Sequence, residues 1–272
     1  RGHVVGYMGD GINDALALKV SDVGISVDTA VDVAKEAADI VLLEKSLLVL
    51  EEGILEGRKV FGNIIKYIRM GASSNFGNMF SFTGGTLFLP FEPMSSPQIL
   101  VNNLLYDFSQ LAIPTDKVDE EYLLKPRKWN IDNVKKFMIY VGPISSIFDY
   151  ATFGLMWFVY HCSTHAAEGD YQSHLFQTAW FVESLLTQTL IVHIIRTNRI
   201  PFIQSSPSWQ LFLSTMTIMA IGSWLPYSPM AHFLGFVPLP ASLWLWLAGF
   251  LLSYSVLCHH VKVWFLNKFG TD

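Results

Sequence analysis

Near the start of the chain, Gly9-Asp10-Gly11-Ile12-Asn13-Asp14-Ala15 gathers two carboxylates and an amide within five positions. Glycines let the backbone approach a ligand closely. Hard oxygen donors of this kind suit Mg²⁺ that keeps several waters and bridges to a phosphate. A lone Asp-Gly is usually a turn with capping residues. Here the string follows an apolar run, Val4-Val5-Gly6-Tyr7-Met8, and reads as a strand-to-helix turn aiming Asp10 and Asp14 at one point. A second polar set lies in apolar surroundings. Asn75 and Asn78 are three apart, and Asn103, Tyr106 and Asp107 are spaced i, i+3, i+4, so each group shares a helix face. One carboxylate with several amide oxygens converging in a membrane is chemistry for a hard cation. The competing use of each Asn is a hydrogen bond between helices. A charge at bilayer mid-depth is penalised by at least ~2.5 kcal/mol, so Asp107 needs a cation or a proton. Asp149 and Glu183 also fall at membrane depth. Glu183 shares a face with Thr187, and the two acids either extend a cation path or pair with another span.

Residues 1–60 alternate short strands (His3–Met8, Val23–Val27, Ile40–Leu43) with helices at Asn13–Lys19, at Ala30–Ala38 behind an Asp28-Thr29 cap, and from near Ser46. That alternation predicts a parallel α/β layer, too short to be a whole domain. Beyond it the composition changes. The 272 residues are 51% hydrophobic and only 15% charged, with mean hydropathy +0.36, whereas soluble domains carry about 25% charged residues. Six stretches read as membrane spans: 64–89, 98–113, 137–160, 175–195, 209–227 and 241–261. The domain reading is therefore 1–60 and 61–272. A net charge of −5 gives no nucleic-acid signature, and two cysteines make no disulfide framework. A small secreted domain, a disordered chain and a nucleic-acid binder are excluded.

All 18 Lys and Arg residues lie from Arg1 to Arg69, between spans two and three, or just after spans four and six, and loops 90–97, 161–174 and 228–240 hold none. By the positive-inside rule both ends of the chain and the Pro114–Lys136 loop are cytoplasmic. Cys162 and Cys258 then sit toward opposite faces and read as packing residues. Trp157, Trp180, Trp209, Trp224, Trp244 and Trp246 read as interfacial or packing residues. His161, His165 and His174 gather around one outer loop, which reads as solvated.

The string from Gly9 to Ala15, followed by Ala17-Leu18-Lys19 and Ser21-Asp22-Val23-Gly24-Ile25, resembles the hinge motif of P-type ATPases, in their haloacid-dehalogenase-like phosphorylation domain. The strings Ala34-Lys35-Glu36-Ala37-Ala38-Asp39-Ile40-Val41-Leu42-Leu43 and Glu56-Gly57-Arg58 leading to Asn63-Ile64-Ile65-Lys66 continue the likeness. The resemblance implies that Asp10 holds a catalytic Mg²⁺, that Asn13 and Asp14 help to fix a phosphate, and that spans one and two build the transported-ion site. Leu16 stands where the family has proline, which removes some rigidity and no ligand. The implied fold is a bundle of six transmembrane helices preceded by the C-terminal part of an α/β phosphorylation domain. No Asp-Lys-Thr-Gly-Thr is present, so the chain reads as a C-terminal fragment that alone does not hydrolyse ATP.

Ser73-Ser74-Asn75-Phe76-Gly77-Asn78, Lys125-Pro126-Arg127-Lys128-Trp129, the run Gly142–Asp149 and the run Gln188–His193 resemble the bacterial magnesium-transporting branch most closely. The resemblance implies an ATP-driven Mg²⁺ importer of the plasma membrane. The alternatives are a pump for Ca²⁺ or H⁺ and a truncated, non-enzymatic six-span protein.

Overall fold

A computed structural model describes residues 2–162 and 170–270. It divides into two units, Arg1–Lys59 and Val60–Asp272. In the first, β1 (Gly6–Met8), β2 (Val23–Val27) and β3 (Ile40–Leu42) form a parallel sheet in the order β1-β2-β3, with Tyr7 opposite Gly24 and Ser26 opposite Val41. Parallel neighbours need crossovers. These are α1 (Ala15–Val20), entered through a 3₁₀ turn at Ile12–Asp14, and α2 (Asp32–Ala37). Leu18, Val27, Ala30 and Ala34 form the small core between helices and sheet. Gly24 admits the close pass of α1, since a Cβ there would stand 2.5 Å from the Leu18 carbonyl oxygen. The expected Asp28-Thr29 cap is replaced: Val31 is the N-cap of α2, and Asp28 instead bonds the Leu42 carbonyl through its backbone N–H at 2.9 Å. The β2–α2 connection thus stays tied to the sheet for longer.

The remaining helices are α3 (Leu47–Phe88), α4 (Ser96–Gln110), the short α5 (Glu120–Leu123), α6 (Ile131–Phe158), α7 (Tyr171–Ile195), α8 (Trp209–Trp224) and α9 (Ala241–Phe269). Each of the six stretches expected as spans overlaps one of these helices, and four of them run one to three residues past the helix end. By length and composition two of them, α7 and α9, are apolar enough to cross a membrane. α7 is the central element: from Leu175 to Ile195 all but one residue is buried, and it packs on α4, α6, α8 and α9. A helix buried all round in this way belongs inside a bundle. α3 meets α6 through small residues. A Cβ on Gly77 would stand 2.7 Å from the Gly142 carbonyl oxygen, and Ser146 Oγ donates to the Gly77 carbonyl at 3.0 Å. Such contacts let helix backbones approach closely in apolar surroundings.

Candidate functional sites

In the first unit a cavity of about 380 Å³ opens at the carboxyl ends of the three strands, lined by residues that include Met8, Asp10, Val27, Leu42 and Lys45. Parallel sheets bind ligands at that end because loops and helix N-termini converge there. Asp10 is exposed to the cavity, and its Oδ2 accepts a bond from Lys45 Nζ at 2.6 Å. The pair is solvent-exposed, and the carboxylate is a hard oxygen donor, the type that Mg²⁺ takes. Asp14 is placed differently. Its Oδ2 accepts from the Gly11 backbone N–H at 3.0 Å and its Oδ1 from the Tyr7 hydroxyl at 2.8 Å. These bonds, the Gly11 N–H first, hold its carboxyl below the ordinary carboxylate range, and the same pairing raises the Tyr7 phenol. Gly9 is required here, because a Cβ would collide with the Asp14 side chain. Asp14 therefore shapes the turn that presents Asp10, and Asn13 stands exposed beside it. Lys45 carried no signal in the sequence, since its partner lies 35 residues away.

In the second unit the expected membrane residues separate into two groups. Asn75, Asn103 and Asp107 are exposed and Asn78 is half-buried. Asp107 lines a cavity of about 480 Å³ with Asn63, Tyr67 and Gln110. α3 and α4 do meet, through Ser74 and Tyr106, whose hydroxyls lie 2.8 Å apart. The buried asparagine of α4 is Asn102. Its Nδ2 donates to the Phe181 carbonyl at 3.2 Å, and its Oδ1 accepts from Gln188 at 3.2 Å. Gln188 also donates to Ser184 at 2.6 Å, and Ser184 to Asn78 at 3.4 Å. Asn78 is thus joined to a polar chain running along α7. Gln98, Asn102, Tyr106 and Ser109 make the buried face of α4, so Asn103 and Asp107 lie one step around the helix from it.

Asp149 and Glu183 come together in the interior, each 1% exposed. Thr187, expected to share a face with Glu183, returns its hydroxyl to the Glu183 carbonyl at 3.0 Å. Trp180 is buried and donates to Asp149 at 2.7 Å, while Trp209 and Trp224 are exposed. His161 is exposed and His174 half-buried; His165 lies outside the described residues. Among the described residues no His, Cys, Asp and Glu cluster forms a metal site, and both cysteines are free and buried.

A third constellation was not expected. Asp116, in the loop after α4, accepts Lys66 Nζ at 2.9 Å, Arg196 Nε at 3.0 Å and the Ser208 backbone N–H at 3.1 Å. Burial alone would raise its carboxyl. The Lys66 charge and the Arg196 bond outweigh burial and hold the carboxyl low. Asn63 Nδ2 fastens the same loop to α3 through the carbonyls of Pro114 and Asp116, at 3.1 and 3.0 Å. Lys262 Nζ caps the C-terminal end of α7 on the carbonyls of Ile194 and Thr197, both at 2.9 Å. The one available hint was an acid directly after a Pro-Thr turn.

Residues 91–264 match the family described as cation transporting ATPase, C-terminus. The magnesium-transporting ATPase, P-type 1, of Escherichia coli K12 is 55% identical over 99% of this chain, which covers 30% of that protein. A Salmonella typhimurium protein of the same name is 53% identical, again over 99% of this chain and 29% of its own length. An Aspergillus fumigatus endoplasmic reticulum calcium ATPase is 35% identical over 59% of the chain. The chain thus spans about 30% of the length of the bacterial relatives, at their C-terminal side. On this evidence the chain belongs to the cation-transporting P-type ATPases.

Proposed function

We propose that this chain is the C-terminal part of an ATP-driven pump that brings Mg²⁺ into a bacterial cell across the plasma membrane. The observation that carries the reading is 53–55% identity, over 99% of the chain, to proteins named magnesium-transporting. In this reading α3, α4, α6, α7, α8 and α9 each cross the bilayer. The absence of Lys and Arg from loops 90–97, 161–174 and 228–240 supports a cytoplasmic placement of both ends of the chain.

Asp10 would hold the catalytic Mg²⁺ at the strand ends, where the metal neutralises phosphate charge during phosphoryl transfer from ATP. This chain's own residues prepare the position. Gly9 lets the turn close, Tyr7 and the Gly11 N–H fix Asp14 and with it the course of the loop, and Asn13 is exposed toward an incoming phosphate. Lys45 pairs with the Asp10 carboxylate. In the membrane, Asn75, Asn78, Asn103 and Asp107 would form the transported-ion site on α3 and α4. A single carboxylate among amides suits an ion that dehydrates reluctantly and is held through its waters. The test is Mg²⁺ uptake by the full-length protein carrying Asp107→Asn. A loss of apparent Mg²⁺ affinity of about tenfold or more supports the site, and wild-type affinity and rate rule it out.

A further inference from the structure

The strongest unused chemistry lies between α6 and α7. The carboxyls of Asp149 and Glu183 are each 1% exposed and within hydrogen-bonding reach of one another. Their surroundings are unequal. Asp149 accepts the Ser81 hydroxyl of α3 at 2.6 Å and the Trp180 indole N–H of α7 at 2.7 Å. Neither oxygen of Glu183 meets a donor from any described residue, and what it faces is another acceptor. Among the described residues, the polar groups acting on the two carboxyls are each other, Ser81 and Trp180, with no Lys, Arg or His. The remaining titratable neighbours are Tyr254 of α9 and Tyr150, next along α6.

Two carboxylates cannot both ionise in such an enclosure, and an acceptor facing an acceptor is joined only by something positive between them. The geometry chooses what that is. Mg²⁺ requires near-octahedral oxygen ligation and usually keeps waters. Here an indole N–H already points at Asp149, and the Trp180 ring is walled by Phe153 and Phe82 at centroid distances of 5.0 and 6.4 Å. A proton needs no coordination shell. We infer that Asp149 and Glu183 form a buried proton-binding site, in which Glu183 carries the proton and donates it to the Asp149 carboxylate. Asp149 then accepts three bonds, and the Glu183 hydroxyl has its acceptor. This holds whichever cation the complete protein transports.

The test is infrared difference spectroscopy on the full-length protein in lipid vesicles at pH 8, wild type against Glu183→Gln. The expected result is one protonated-carboxyl C=O band in the wild type only, shifting in D₂O and unchanged by a tenfold rise in Mg²⁺. Glu183→Gln, whose amide can still donate to Asp149, keeps the wild-type melting temperature. No such band, or a band that Mg²⁺ abolishes, overturns the proposal; the second result would make the pair a metal site. If Glu183→Gln fails to fold, Asp149→Asn replaces it. That change swaps the acceptor of Glu183 for an amide and must move or remove the band, and an unchanged band also overturns the proposal.

Discussion

Asp116→Ala removes the carboxylate that bridges two cationic side chains with little water around them. The Asp116 side chain is 0% exposed, Arg196 1% and Lys66 12%. Deleting one partner of a buried pair leaves the other charge uncompensated, which typically costs 3–5 kcal/mol. Here the substitution also orphans the Ser208 backbone N–H at the start of α8. The expected loss is about 4 kcal/mol, or of order 10 °C in melting temperature for a unit of this size. The pH dependence has a definite sign. The folded carboxyl titrates below its unfolded value, so its contribution is complete above about pH 4 and is lost as pH falls through the folded value. Melting the reconstituted wild type and variant across pH, with Arg196→Met and the double variant added as a cycle, isolates the pair. A shift under about 2 °C, or additive single and double variants, would refute the argument.

Asp10→Asn in the full-length protein should abolish Mg²⁺-dependent phosphorylation while leaving the melting temperature unchanged, because the side chain is exposed; phosphate incorporation measures it. Tyr7→Phe removes one of two donors to Asp14, so the Asp14 carboxyl should titrate closer to its ordinary value, read by carbon NMR. Gly77→Val forces a branched side chain against Gly142 and Ser145 and should destabilise by roughly 1–3 kcal/mol, measured by thermal melting. Burial pushes the Cys162 thiol up to about 11, so maleimide labelling at neutral pH should be slow until the protein is denatured.

What was legible in the sequence was what local chemistry encodes. Glycine and acid spacing gave the turn from Gly9 to Asp14, and apolar runs gave Val23–Val27 at both ends and the other two strands within three residues at one end. What escaped has a common cause. Helical spacing says which residues share a face, but not which of two polar faces turns inward. Asn102 and Asn103 are adjacent, both amides, and only the packing of α7 selects Asn102. Lys45 with Asp10, and Arg196 with Asp116, are pairs 35 and 80 residues apart, fixed by tertiary structure alone. Trp180 looked like the other tryptophans until α6 supplied the acid that its N–H meets.

The central claim is the identity of the cargo. The direct measurement is ATP-driven flux by the full-length protein in sealed vesicles, with the cytoplasmic face outward and an ion indicator trapped inside. The account predicts that ATP lowers lumenal Mg²⁺, that Asp10→Asn abolishes the change, and that lumenal Ca²⁺ does not fall. An ATP-driven fall in Ca²⁺ with Mg²⁺ constant would contradict it.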